Sequence, residues 1–164
     1  MAVADDIALI KKQEQELSLS SFDEHAAFEI GSAIYARAKA EGLTLVVDLR
    51  TWDRQMFFAA MPGTSSDNAE WVRRKINTVR RFHKASYRIS LERGGDGIFP
   101  DVLNASGADY VIAGGGFPLR VTGAGIIGCL TISGLPGRSD HGVAVAAMCD
   151  FLGRDRALFA LPPE

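Results

Sequence analysis

The chain opens on a helical period. Val3, Ile7, Ile10 and Leu17 fall on one face and Lys11, Lys12, Glu14 and Glu16 on the other, which predicts a helix over residues 4–17. The run LSLSS breaks that pattern. Ser21, with Glu24 three residues on, then fits a capping box for a second helix. Ala27, Ile30, Ile34 and Ala38 point that helix inward as far as Glu41, and Gly42 stops it. LTLVVDLR and QMFFAAMPG, either side of the polar TWDR, read as a β-hairpin closed by Pro62 and Gly63.

A third helix is expected from a cap at Asp67, with Glu70 at the box position, to about Lys84. Trp71, Val72, Ile76, Val79 and Phe82 form its apolar stripe. A short helical piece through Tyr87 and Leu91 leads to the breaker ERGGDG. One more helical turn, a strand from Tyr110 and a strand GIIGCLTISG come next. The last element is a helix beginning at Ser139 or Asp140 and running through Val143, Ala147, Phe151 and Leu152. Hairpin-joined strands pair antiparallel, so the expected class is α+β: an antiparallel sheet flanked by helices, with an N-terminal helical extension.

At 164 residues, with 47% apolar and 23% charged content, the expectation is one domain over 1–164. A net charge of −2 gives no global pull towards nucleic acid or an anionic membrane. No run nears the ~18 continuous apolar residues of a membrane span. The start MAVADDIALIKKQEQE lacks the basic and apolar regions of a signal peptide, so a cytoplasmic protein is expected. Cys129 and Cys149 lie in apolar runs and form no C-x-x-C, which reads as two reduced core residues.

Gly123, Gly125 and Gly128 spell G-x-G-x-x-G. A dinucleotide fingerprint needs a long helix after it, whose free N–H groups hold the pyrophosphate. Here the β-prone Cys-Leu-Thr-Ile-Ser follows, and Pro136 blocks a helix from the preceding turn. The segment is therefore a hairpin: Thr122–Gly125 make the turn, and Gly128 admits a close neighbour.

Read that way, Gly115, Gly116, Pro118, Leu119, Gly125, Ile127, Gly128, Leu130, Ile132, Ser133, Gly134 and Asp140 resemble the signature of the GlcG/HbpS-like superfamily. Pro62-Gly63, Asp67-Asn68, Trp71, Arg74-Lys75, Asn77 and Asp140-His141 are similar to its haem-degrading domain-like branch, which includes yeast relatives. The resemblance implies a profilin-like fold, assembly into homo-oligomers and binding of haem or corrinoid, or of protein partners. It implies no settled activity. Cys129 stands where the signature has a small Ala, and no haem-ligating His can be matched.

Eight of the eighteen basic residues lie between Arg73 and Arg93, opposed only by Glu92. Arg73, Asn77, Arg80 and Lys84 make one helical row, with Arg74 and Arg81 beside it. This is either an anion site or a solvated face paired with the acidic first helix (residues 1–20) of a neighbouring copy, and the second is favoured. Trp71 and Phe82 belong to the apolar stripe, so nucleic acid is not expected. His25, His83 and His141 are far apart. His83 suits a helix C-terminus, and His141 could point into a cleft between strands. No His and carboxylate share ligand spacing, Ser133 lacks the elbow glycine, and Cys149 has no basic neighbour, so neither metal nor catalytic residues are assigned. Asp48, Arg50 and Asp53 read as surface residues around the hairpin turn.

The expected function is a homo-oligomeric binding domain for haem, another tetrapyrrole or a small anion. The ligand would lie between Arg74, Lys75 and Asn77 on the helix and Gly115, Gly116 and His141 beside the sheet. Two alternatives stand: a ligand-free adaptor oligomer, and a small-molecule enzyme such as a haem-degrading protein.

Overall fold

The computed structural model describes residues 2–164. Its helices are α1 (Val3–Glu16), α2 (Glu24–Glu41), α3 (Ser66–Phe82), α4 (Ser86–Glu92) and α5 (Gly137–Leu152). Its strands are β1 (Val46–Thr51), β2 (Gln55–Ala60), β3 (Gly116–Val121) and β4 (Gly125–Ser133). They form one antiparallel sheet in the order β2-β1-β4-β3. The α+β class and the flanked antiparallel sheet are as expected.

Strand alternation gives the sheet two faces. Val47, Leu49, Phe117, Leu119, Leu130 and Ile132 join the main core under α2 and α5. On the opposite face α3 covers Val46 and Cys129 with Val72, Ile76 and Val79. The β4 end of the sheet is thus buried on both sides, which its apolar run anticipates. Ile10 of α1, and Leu17 and Leu19 just beyond that helix, are core residues of this same chain. This N-terminal helix packs its apolar face against α4 and β3.

Element starts differ from expectation. Asp23, not Ser21, caps α2 and accepts the Ala26 N–H at 2.9 Å. At α3 the cap is Ser65: its hydroxyl accepts from the Asp67 N–H, while the Asn68 side chain accepts from the Ser65 N–H at 2.9 Å. Glu70 is left to pair with Arg73. Ser65→Ala is expected to cost about 1 kcal/mol in a urea melt, the usual loss on removing such a cap.

No ladder strand starts at Tyr110. The Val111 N–H and carbonyl both bond to the Thr78 hydroxyl, and Ile112 exchanges two backbone bonds with Gly97. With those groups satisfied by α3 and by a loop, the segment joins the sheet only at Gly116. The last helix begins at Gly137, straight after Pro136, because Asp140 is not its cap but turns its carboxylate elsewhere. Asp48 is a further correction. It is fully buried, and its carboxylate accepts from Arg50 (2.8 and 2.6 Å) and Gln55 (2.7 Å).

Candidate functional site

Where β4 ends, the chain turns through Gly134, Leu135 and Pro136 into α5. The first half of α3 faces that turn across a cleft of about 350 Å³. Asp67, Asn68, Trp71 and Lys75 come from α3, Asp140 from α5, and Asp96 and Gly114 from the loops between.

Lys75 and Asp140 form its floor. Lys75 is 3% exposed and Asp140 1%. The ammonium donates to an Asp140 carboxylate oxygen at 3.1 Å and to the Ile132 carbonyl at 3.0 Å. The other Asp140 oxygen accepts the Leu135 N–H at 3.0 Å, which ties the cleft turn to the helix. Burial lowers the Lys75 ammonium below its ordinary range, against the pull of Asp140 and Asp96. Burial raises the Asp140 carboxyl to about 6, with Lys75 holding it back. Burial thus pushes both members of this ion pair towards their neutral forms, a perturbation of the kind found in functional clefts.

The walls are polar. Asp96 accepts from the Ser90 hydroxyl at 2.6 Å. The Trp71 indole N–H donates to Asp67 at 3.2 Å, and the Arg74 guanidinium lies 4.5 Å from the Trp71 ring centre. Trp71 was expected in the core stripe, but it stands half-buried on the cleft wall, its indole N–H turned to Asp67.

The other expected site residues are dispersed. Asn77 donates to the Asp109 carbonyl at 2.8 Å, and Arg73 donates to Asp109 and to the Ala108 carbonyl. Arg81 donates to the Leu103 carbonyl. This row therefore clasps residues 103–109 of its own chain. The first-helix acid that the basic run meets is also its own: Arg88 pairs with Glu14 at 2.6 Å. Gly115 and Gly116 lie deep, and a side chain at either would strike protein atoms. At 115 it would meet the Ile132 carbonyl and the Lys75 ammonium, and at 116 Val79 and Ser86. Their role is close packing over the lysine, and they leave no flat shelf for a ligand.

His141 does not line the cleft. It is 1% exposed, beside the rings of Tyr87 and Phe117. The Gln13 amide nitrogen donates to the Phe159 carbonyl, so its oxygen faces His141 Nε2 at 2.8 Å and that nitrogen carries the proton. Burial pushes the imidazole down to about 3, and it stays neutral as a core residue. His25 and His83 are exposed at helix ends.

Residues 22–149 match the family model described as haem degrading protein HbpS-like. The chain belongs to the HbpS-like family. A UPF0303 protein of Mesorhizobium japonicum is 55% identical across 100% of this chain and 99% of its own length. One from Pseudomonas entomophila is 46% identical over 99% of this chain and 91% of its own. Among solved structures, Ybr137w superposes with a TM-score of 0.82 at 23% identity, over 93% of this chain and 94% of that one. HbpS gives 0.63 at 18%, over 81% and 91%. PduOC in its haem complex gives 0.63 at 22%, over 79% and 94%. These likenesses establish the HbpS-like fold.

The cleft itself is poorly furnished for haem iron. No His, Cys or Met is among its lining residues, and His141 Nδ1, a buried nitrogen without a partner, sits in the core and not on the cleft wall. Among the described residues no group of three or more His, Cys, Asp or Glu is placed to hold a metal ion. No described helix is long and apolar enough to cross a membrane.

Proposed function

We propose that this HbpS-like domain binds a small polar ligand in the Lys75–Asp140 cleft. One observation carries the reading: Lys75, buried at the cleft floor, has two of its three N–H bonds engaged by Ile132 and Asp140. A lysine ammonium donates three. The third is available to an oxygen acceptor, and burial makes that bond count, because a ligand competes there with little water. Asp67 and Asp96 on the walls favour hydroxyl or amide donors on the same ligand. A volume of about 350 Å³ is at the small end of ligand pockets. Hydroxy acids and small amides combine these groups. A carboxylate would add the attraction of Arg74 over Trp71 at the rim.

Haem is the second reading, favoured by the family's description and by the haem complex of PduOC. In this chain it would require a binding mode without an axial ligand from the cleft.

Trp71 makes the test direct. Indole fluorescence and thermal shift are followed while lactate, malate, acetamide and haemin are titrated separately. Saturable quenching by a small hydroxy acid or amide is expected, reduced at least about tenfold in affinity by Lys75→Gln and little changed by Arg73→Gln. A Soret shift with haemin that survives Lys75→Gln would move the function away from the cleft. No response to any of the four would remove the binding reading.

A further inference from the structure

Of the five lysines, Lys75 alone is buried: Lys11, Lys12 and Lys39 are exposed and Lys84 is half-buried. Glycine makes room for it. A Cβ on Gly115 would strike the Ile132 carbonyl oxygen and lie 2.8 Å from the Lys75 nitrogen, so only glycine lets the amine stand between that carbonyl and Asp140. A buried ion pair is a weak device for stability, since apolar residues often fill the same volume as well. This one lines a cleft, where a lysine has chemistry that an arginine or an apolar residue lacks.

We propose that Lys75 and Asp140 are an imine-forming pair: Lys75 condenses reversibly with the carbonyl carbon of a short hydroxyaldehyde or hydroxyketone in the cleft, and Asp140 carries the proton. This rests on the binding reading above and adds a covalent step to it.

The tetrahedral nitrogen permits the step. The ammonium gives one N–H to Ile132 at 3.0 Å and one to Asp140 at 3.1 Å. Passing the second proton to Asp140 leaves an amine and a carboxylic acid, the forms towards which burial pushes both groups. Rotation about the Cε–Nζ bond to the next staggered position keeps N–H donors on the same two oxygens and turns the lone pair to the cleft. That pair forms the C–N bond, the carbonyl π pair moves onto oxygen, and the surplus proton on nitrogen follows it to give a carbinolamine. Asp140 then returns its proton to the new hydroxyl. The C–O bond breaks, water leaves, and the nitrogen pair closes the C=N bond. An ammonium and a carboxylate enter; a protonated imine, the same carboxylate and one water result.

The walls choose the carbonyl compound. Asp67 holds the Trp71 indole on one carboxylate oxygen, and Asp96 holds the Ser90 hydroxyl on one. Among the described residues no hydrogen bond reaches the other oxygen of either side chain. Those oxygens accept ligand hydroxyls and oppose a carboxylate next to the reacting carbon. A cleft of about 350 Å³ suits a short chain.

The test incubates the full chain at neutral pH with dihydroxyacetone and cyanoborohydride, then maps its peptides by mass spectrometry. A reduced adduct is expected on Lys75 at least about tenfold ahead of the other four lysines, because a solvated amine at that pH is almost wholly ammonium. Pyruvate, a ketone with a carboxylate beside its carbonyl, should label Lys75 at least about tenfold more slowly. Lys75→Arg keeps a cation against Asp140 and should abolish the adduct. Asp140→Asn should slow labelling at least about a hundredfold, as loss of a proton carrier does, with an unchanged circular dichroism spectrum. Adducts on the other lysines with Lys75 unmodified, or labelling as fast in Asp140→Asn as in wild type, overturn the proposal. Equal labelling by pyruvate overturns its substrate class. Saturable Trp71 quenching by dihydroxyacetone without an adduct sinks the covalent step and leaves the binding reading standing, whereas absence of both removes both. If Lys75→Arg does not fold, the wild-type map and the Asp140→Asn rate decide.

Discussion

Asp140→Ala is expected to destabilise the fold by about 3–5 kcal/mol at neutral pH, the usual cost of leaving one member of a buried ion pair alone. The loss has two parts. Lys75 keeps its ammonium at 3% exposure with no counter-charge in contact, and the Leu135 N–H loses its acceptor just where β4 turns into α5. Lys75→Met should also be costly, because it strands the carboxylate. Replacing both, as Lys75→Met with Asp140→Leu, should recover most of the loss, since apolar pairs of similar volume often match a buried ion pair. Urea midpoints of the four proteins close the cycle. An Asp140→Ala midpoint within about 1 kcal/mol of wild type would show that the pair is not desolvated as described.

The same residue gives a pH signature. Asp140 titrates at about 6 in the fold, against an ordinary 3.8. Between those values the folded chain holds more protons on this residue than the unfolded chain does. Its contribution is therefore full at low pH and falls as pH rises, by about 3 kcal/mol in all. Asp140→Asn cannot ionise. It should gain on wild type as pH rises from about 4 to about 6.5 and run parallel above that.

Periodicity exposed the helices and both hairpins, because those elements are set by one buried stripe or one alternating face. Where a helix starts was harder to read. Ser21 and Asp23, or Ser65 and Asp67, are competing short polar residues two positions apart, and packing chooses between them. Tyr-Val-Ile at 110–112 is as β-prone as any strand in the chain. What removes it from the sheet is Thr78, whose hydroxyl takes both backbone groups of Val111. Lys75 was visible as a cation and Asp140 as a helix-start acid, but their meeting depends on α3 and α5 converging over β4. Asp96, inside a glycine-rich breaker, carried no local signal. Asp48 was misplaced for a related reason: beside a turn it reads as surface, and only the Arg50 and Gln55 side chains folding over it make it a buried residue.

The G-x-G-x-x-G spacing offers the second large effect, because its three glycines are there for two different reasons. Gly123 and Gly125 both have φ near +82° in the β3–β4 turn, and a methyl group at either would meet nothing within 4 Å. Alanine there meets backbone strain alone, about 1–2 kcal/mol each. Gly128 has an ordinary φ but lies across from β1, where an added Cβ would fall 2.0 Å from the Arg50 carbonyl oxygen and 2.9 Å from the Thr51 Cα. These are backbone atoms of a central strand pair, so neither can swing aside as a side chain end would. Relief requires β1 and β4 to part, and β1 carries both Asp48 and the whole of β2. Gly128→Ala is accordingly expected to cost at least about 3 kcal/mol, near the upper end for overpacking a core. Thermal melts distinguish these cases, and a Gly128→Ala protein as stable as Gly123→Ala would show that the β1–β4 register is looser than this spacing of backbone atoms allows.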